Sequence, residues 1–104
     1  MQFLAVFTPK PGSPPADFAA REAEEEAQAR VLYGKGGLRQ AWALDTKERG
    51  AVCLFEAKDA DDLQRMIDSF PLVQLAYCDY TIHPLAPYPG FVKKMVLPAK
   101  QAAQ

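Results

Sequence analysis

The stretch that decides the fold is residues 2–8, which read Gln-Phe-Leu-Ala-Val-Phe-Thr and are followed by Pro9. Its short length, its aromatic residues and the proline that stops it favour a β-strand. A strand in a sheet that is covered on one face only should alternate apolar and polar residues. This stretch is apolar on both faces, and so is a second one, residues 51–57 (Ala-Val-Cys-Leu-Phe-Glu-Ala). We therefore expect the middle of the sheet to be covered on both sides.

Around these two strands the sequence predicts two helices and two further strands. A helix is expected from about Pro14 to Tyr33, with Ser13 as its N-cap. A second helix should begin at an Asp59 cap and end before Pro71. The predicted apolar stripes of these helices are Ala16, Ala20, Ala23, Ala27 and Val31 in the first, and Leu63, Met66, Ile67 and Phe70 in the second.

Residues 38–45 and 78–84 supply the remaining strands, which completes the order β-α-β-β-α-β. This order is the ferredoxin-like pattern, an α+β protomer with one antiparallel four-stranded sheet and both helices on a single face. Strict alternation in the second strand predicts Leu38, Gln40, Trp42 and Leu44 on one face, and Arg39, Ala41, Ala43 and Asp45 on the other.

The face of the sheet that lies away from the helices is the basis for predicting self-association. One protomer has no spare helix to cover it, and the sheet of a second subunit is the simplest cover. We therefore expect a homodimer or a higher homo-oligomer, a dimeric α+β barrel with an enclosed space between the sheets. Residues 1–90 would form the domain, and the tail, residues 91–104, would be flexible or clasp a neighbour. The alternative is that this tail folds back over the apolar face.

Composition excludes several classes of partner and site. The 104 residues carry 12 Lys and Arg against 13 Asp and Glu, a net charge of −1, so the basic excess of a nucleic-acid-binding protein is missing. No apolar run is long enough to span a membrane. With two cysteines and one histidine, neither a metal nor another cofactor is expected. The N-terminus lacks the features of a signal peptide, which predicts a cytoplasmic protein.

Polar side chains on the outer strands are the candidate site residues. Asp79, Thr81 and His83 share one strand face, and histidine is the side chain that ordinarily titrates near neutrality. A carboxylate near an imidazole favours its protonated form, and such a pair can shuttle a proton. Arg39 could bind a substrate carboxylate through its paired donors, and Trp42 could form a pocket wall. The alternatives are a surface histidine, an arginine that reaches solvent and a tryptophan in the core.

The acidic part of the first predicted helix has a simpler interpretation. Glu22, Glu24, Glu25 and Glu26 are interpreted as a solvated face. Glu26 and Arg30 are spaced as a surface ion pair, and Glu26 would act as a base only if it faced a cleft. Cys53 is predicted to be an inert buried thiol.

Four segments carry a resemblance to a known family: residues 37–42 (Gly-Leu-Arg-Gln-Ala-Trp), 51–56, 70–72 (Phe-Pro-Leu) and 84–89 (Pro-Leu-Ala-Pro-Tyr-Pro). Over roughly residues 1–91 the chain resembles the muconolactone isomerase-like group of dimeric α+β barrel proteins, with the YCII-related domains as the second choice. The resemblance implies sheets paired across a two-fold axis and often higher oligomers.

For activity, the resemblance implies that a double bond in an unsaturated lactone is moved by taking and returning a proton. The predicted function is thus a small-molecule enzyme, carrying out proton-transfer isomerisation or a related lyase step on a small oxygenated anionic metabolite. His83 and Asp79 would be catalytic, and Arg39, Trp42 and Thr81 would bind the substrate. The alternatives are a non-catalytic ligand-binding or stress-related protein, and a structural oligomer whose central space is filled by side chains.

Overall fold

The computed structural model describes residues 1–47 and 49–91. Its elements are β1 (Gln2–Pro9), α1 (Pro15–Ala20), α2 (Glu22–Gly34), β2 (Leu38–Ala43), β3 (Ala51–Glu56), α3 (Ala60–Asp68), α4 (Pro71–Gln74) and β4 (Cys78–Leu85). The four strands form one antiparallel sheet in the order β2-β3-β1-β4. The predicted α+β, ferredoxin-like fold is therefore confirmed, with the two doubly apolar strands at the centre of the sheet.

The pairing register shows which residues of the two central strands lie on the same face of the sheet. Ala5 pairs with Cys53, and both are buried on the side of the helices. Leu4 pairs with Leu54 on the opposite side, where both are only partly buried. The side of the sheet away from the helices, named the open face below, is thus apolar at its centre, as the sequence predicts.

The helix α3 follows its sequence pattern closely. Asp59 caps it by accepting the backbone N–H of Asp62 at 2.8 Å, and Asp62 in return accepts the N–H of Lys58 at 2.9 Å. Leu63 and Ile67 are buried against the sheet. The helix ends at Asp68, and the short helix α4 follows it, beginning at a proline as helices often do.

The first predicted helix is corrected in two respects. It is divided at Arg21 into α1 and α2, and its first cap is Pro14 rather than Ser13. The Ser13 hydroxyl instead donates to the carbonyl of Tyr77 at 3.2 Å. This bond ties the loop before α1 to the start of β4, so a long-range partner replaces the local cap.

The predicted alanine stripe of this helix is also wrong. Ala23 and Ala27 are exposed, while α2 buries Leu32. The face that turns inward carries Glu25 and Gln28, whose polar atoms are bonded to distant segments. Because α2 is only weakly amphipathic, these partners and the single large leucine decide its orientation.

A bulge corrects the predicted faces of β2. The register shifts between Leu38 and Gln40, so that Arg39 is the extra residue. Leu38 therefore pairs with Phe55 on the helix side, whereas Gln40 and Trp42 lie on the open face. Strict alternation wrongly placed Leu38 with Gln40 because one inserted residue reverses the faces of everything beyond it.

The remaining expectations concern the tail and the membrane. Of the predicted tail, residues 92–104 lie outside the described residues, while the Phe91 ring packs edge-on against Tyr88 at 5.8 Å between centroids. Within residues 1–47 and 49–91, no helix is long and apolar enough to cross a membrane. The cytoplasmic location stays a prediction.

Candidate active site

A cavity of about 250 Å³ lies between the helices and the sheet. Because an apolar protein cavity of about 150 Å³ can bind benzene, this volume suits a ligand with a single small ring. Its walls are mainly apolar, with Phe7, Phe18, Ala29, Leu38, Phe70 and Leu72 among the residues that line it. Apolar walls with a few polar groups are typical of small-molecule sites.

The most unusual group in this cavity is the carboxyl of Glu25, which α2 turns toward the sheet. Burial raises the pKa of Glu25, and a hydrogen bond from the backbone N–H of Leu72 partly opposes the rise. That bond is 3.0 Å long and is accepted by Oε1. Proton exchange at Oε2 therefore does not require the bond to break. A carboxyl held in this way is suited to take up and return a proton.

Two thiols line the same cavity. Burial raises the pKa of Cys53 to about 11 and that of Cys78 to about 11, and the charge of Glu25 adds to both increases. Both thiols are therefore protonated at neutral pH and are poor nucleophiles. For Cys53, which is buried, this agrees with the predicted inert thiol.

The predicted catalytic residues lie on the other side of the sheet. Asp79, Thr81 and His83 share the open face, opposite Thr8, Val6 and Leu4 of β1. Thr81 Oγ1 lies 3.4 Å from His83 Nε2. Asp79 is exposed, and its Oδ1 lies 3.8 Å from Lys10 Nζ. The structure thus brings Thr81 and His83 together but pairs Asp79 with a lysine.

The predicted substrate-binding residues are spread more widely. Trp42 lies on the open face and is 50% exposed. Two strands separate β2 from β4, so at about 4.8 Å per strand Trp42 is roughly 14 Å across the sheet from β4. Arg39 is exposed at the bulge, with its guanidinium beside Gly36. The described residues of one protomer do not enclose Trp42 or Arg39, both of which are exposed, and their roles stay predictions.

The sequence did not reveal Glu25 because the four neighbouring glutamates of α2 were interpreted together as one solvated face. The signal that would have found it is the spacing of Glu25, Gln28, Ala29 and Leu32, which follows the i, i+3, i+4, i+7 pattern. Gln28 donates to the Ser69 hydroxyl at 2.8 Å, so both polar members of this stripe have partners. Glu26, the residue considered instead, also lines the cavity but is exposed.

Comparison with known proteins identifies the family. The model of the muconolactone delta-isomerase family matches residues 1–90. The chain belongs to the muconolactone isomerase family. No curated protein matches the chain closely enough to count as a relative.

Solved structures support the fold. The crystal structure of muconolactone isomerase is similar, with a TM-score of 0.68 and 23% identity, covering 86% of this chain and 92% of that one. The 5-chloro-2-hydroxyhydroquinone dehydrochlorinase of Burkholderia phenoliruptrix, in complex with 2,5-dihydroxybenzoquinone, has a TM-score of 0.67 and 17% identity, covering 83% and 94%. These likenesses establish a shared architecture.

Proposed function

We propose that the protein catalyses a proton-transfer isomerisation, or a related lyase step, on a small oxygenated anionic molecule bound between its helices and its sheet. Glu25 would take and return the proton. The observation that carries this proposal is a partly buried carboxyl of raised pKa in an otherwise apolar cavity of about 250 Å³. Membership of the muconolactone isomerase family supports the same reaction class.

The chemistry requires one base and no external oxidant or reductant. Glu25 removes a proton from a carbon next to a carbonyl group, and the electron pair of that C–H bond passes into the conjugated system. The protonated Glu25 then returns the proton to a different carbon, so the double bond moves and no atom is lost. Burial favours this role because it makes the carboxylate a stronger base than one in water.

The backbone N–H of Leu72 and the apolar walls of the cavity both support this proton transfer. The N–H holds Oε1 in place while the proton moves, and its donation limits the rise in the pKa of Glu25. The apolar walls keep water away from the reactive intermediate.

The open face offers a second candidate site. There His83, with Asp79, would move the proton, and Arg39, Trp42 and Thr81 would bind the substrate in a space closed by a second subunit. The observation that favours it is the 3.4 Å approach of Thr81 Oγ1 to His83 Nε2. The 3.8 Å ion pair of Asp79 with Lys10 makes the acid–base pair weaker than the sequence suggested. The same cavities would serve a non-catalytic ligand-binding protein.

A second copy of the chain is the proposed partner on the open face. Leu4, Val6, Val52 and Leu54 form its apolar centre, and none of the four is fully buried in one protomer. Pairing of two such faces would remove this apolar surface from water. A homodimer of this kind would explain why both sides of the central strands are apolar.

The test uses muconolactone as the first substrate, with double-bond migration and deuterium uptake from D2O followed by NMR. The Glu25→Gln variant should lose about 10²–10⁴-fold in kcat, the range of general acid–base catalysis. Glu24→Gln is the matched control, because Glu24 lies on the same helix and contacts Arg21 at the surface.

Each outcome assigns the site. If Glu25→Gln loses activity while His83→Ala and Glu24→Gln retain it, the result supports the cavity between the helices and the sheet as the active site. If only His83→Ala loses activity, the active site lies on the open face instead. A wild-type protein that binds muconolactone without turnover or exchange would contradict catalysis on it and favour the ligand-binding alternative.

A further inference from the structure

We propose that Arg49 binds the carboxylate of the substrate at the mouth of the Glu25 cavity, so that the site selects an anionic ring over a neutral one of the same shape. This inference rests on the proposed function for the location of the site. It assigns a specificity-determining residue outside the candidate residues that the sequence suggested.

Arg49 lies where two depressions meet. One is the Glu25 cavity, and the other is a larger depression of about 590 Å³ beside it. The two share Pro9, Phe18, Arg49 and Gly50 among their lining residues, so they adjoin at these four residues, named the passage below. Among the described residues that line the Glu25 cavity, Arg49 is the one cationic side chain.

The backbone around Arg49 is held in place by its neighbours. Arg49 has φ of 54°, a left-handed conformation that is rare for a residue with a side chain. Its N–H donates to the Thr46 carbonyl at 3.2 Å, and the Gly50 carbonyl accepts the Leu44 N–H at 2.8 Å. A side chain at position 50 would clash with the backbone carbonyl of Phe7. The glycine therefore lets the turn press against β1 and carry Arg49 to the passage.

Among residues 1–47 and 49–91, no carboxylate lies within ion-pair distance of the Arg49 side chain. By contrast, Arg21 lies within 4.0 Å of the carboxylates of Asp17 and Glu24, and Arg65 lies within 4.0 Å of that of Asp62. A carboxylate entering an apolar cavity loses its hydration and needs a cationic partner. The guanidinium provides one with two parallel donors.

The arrangement also orients the ligand. The second depression is lined by charges of both signs, Lys10 and Arg49 together with Glu22 and Asp45. A general positive field is therefore not the source of selectivity. A single ring would place its carboxylate at Arg49 and its carbon–hydrogen bonds deeper, toward Glu25. Repulsion from ionised Glu25 would act against the reverse orientation.

The test compares two probes of nearly the same shape, benzoate and benzamide, by NMR titration of the full-length protein near neutral pH. The wild-type protein should bind benzoate about tenfold more tightly than benzamide, as expected for one hydrogen-bonded charge pair. In Arg49→Gln the preference should fall to within about twofold, with the Kd of benzamide unchanged. Lys47→Gln is the matched control, since this exposed cation of the same turn lines neither depression.

A second variant distinguishes the loss of the Arg49 side chain from a folding defect. Arg49→Gly removes the side chain and accepts a positive φ, so it should fold and lose the same preference. The proposal is overturned if the wild-type protein shows no preference, if it binds neither probe, or if the preference survives in both variants. Glu25→Gln should keep the benzoate preference, because Glu25 is not the anion-binding group. Retained turnover in Glu25→Gln would thus contradict the proposed function without touching the role of Arg49.

Discussion

At the scale of single residues, four glutamates on one helix show how position changes chemistry. Glu22, Glu24 and Glu26 are exposed, whereas Glu25 is partly buried and accepts a hydrogen bond from Leu72. Burial makes ionisation of Glu25 more costly and raises its pKa. The same residue type thus meets water at three positions and, in the proposed function, transfers the proton at the fourth.

The raised pKa of Glu25 predicts a pH-dependent cost to stability. The folded protein keeps the proton at pH values where the unfolded chain, with a glutamate pKa near 4.5, has lost it. The free energy of unfolding should therefore fall as the pH rises from below 4.5 through the folded-state pKa. In Glu25→Gln this loss disappears, so the variant should gain stability relative to the wild-type protein as the pH rises from 4.5 through the folded-state pKa of Glu25.

Urea unfolding across this pH range measures the effect. Glu24→Gln serves as the control, and its difference from the wild-type protein should not change with pH in the same way. A Glu25→Gln curve that runs parallel to the wild-type curve would show that burial does not perturb Glu25.

At the scale of elements, α3 is specified by local signals and α2 by distant ones. The Asp59 cap and the buried Leu63 and Ile67 stand in the α3 sequence itself. The inward face of α2 depends on Ser69 and Leu72, which follow α3 along the chain. The segment from α3 to α4 therefore also positions Glu25.

The Asp59 cap predicts a measurable loss when it is removed. Asp59→Ala should lower the free energy of unfolding by about 1 kcal/mol, because the N–H of Asp62 loses its side-chain acceptor. Chemical denaturation measures this change. Asp61→Ala is the matched control in the same first turn and should cost a few tenths of a kcal/mol at most. Equal losses in the two variants would show that charge at the helix start, and not the cap, stabilises α3.

At the scale of the whole molecule, the two faces of the sheet differ in what they present. The helix side encloses the cavity with Glu25, and the open face presents apolar residues on β1 and β3. Pairing of the open faces would leave the Glu25 cavity outside the interface. Catalysis and assembly would then be separable by mutation.

Association should therefore respond to a charge placed on the open face. Leu54→Lys should convert the wild-type dimer, or a larger assembly, into monomers, because a buried lysine would have no partner at the apolar centre. Analytical ultracentrifugation measures the change. Val31→Lys is the control, since Val31 is 47% exposed on α2. A wild-type protein that sediments as a monomer at high concentration would contradict the proposed interface.

The sequence by itself determined the order of the elements and the centre of the sheet. Residues 3–7 and 51–55 are apolar on both faces of their strands. This pattern is typical of strands in the middle of a layered fold. The cap at Asp59 and the stop before Pro71 are equally local, because neighbouring residues supply both signals. These features were predictable since each depends on a few consecutive residues.

Only the tertiary structure decided the candidate site. The bulge at Arg39 reversed the faces of β2, and distant partners turned Glu25 inward although the alanine pattern favoured another face. A weakly amphipathic helix has several faces of nearly equal burial energy, so contacts with remote segments select among them. Arg49 reaches the cavity for a similar reason, because the contact of Gly50 with Phe7 is made between strands far apart in the chain.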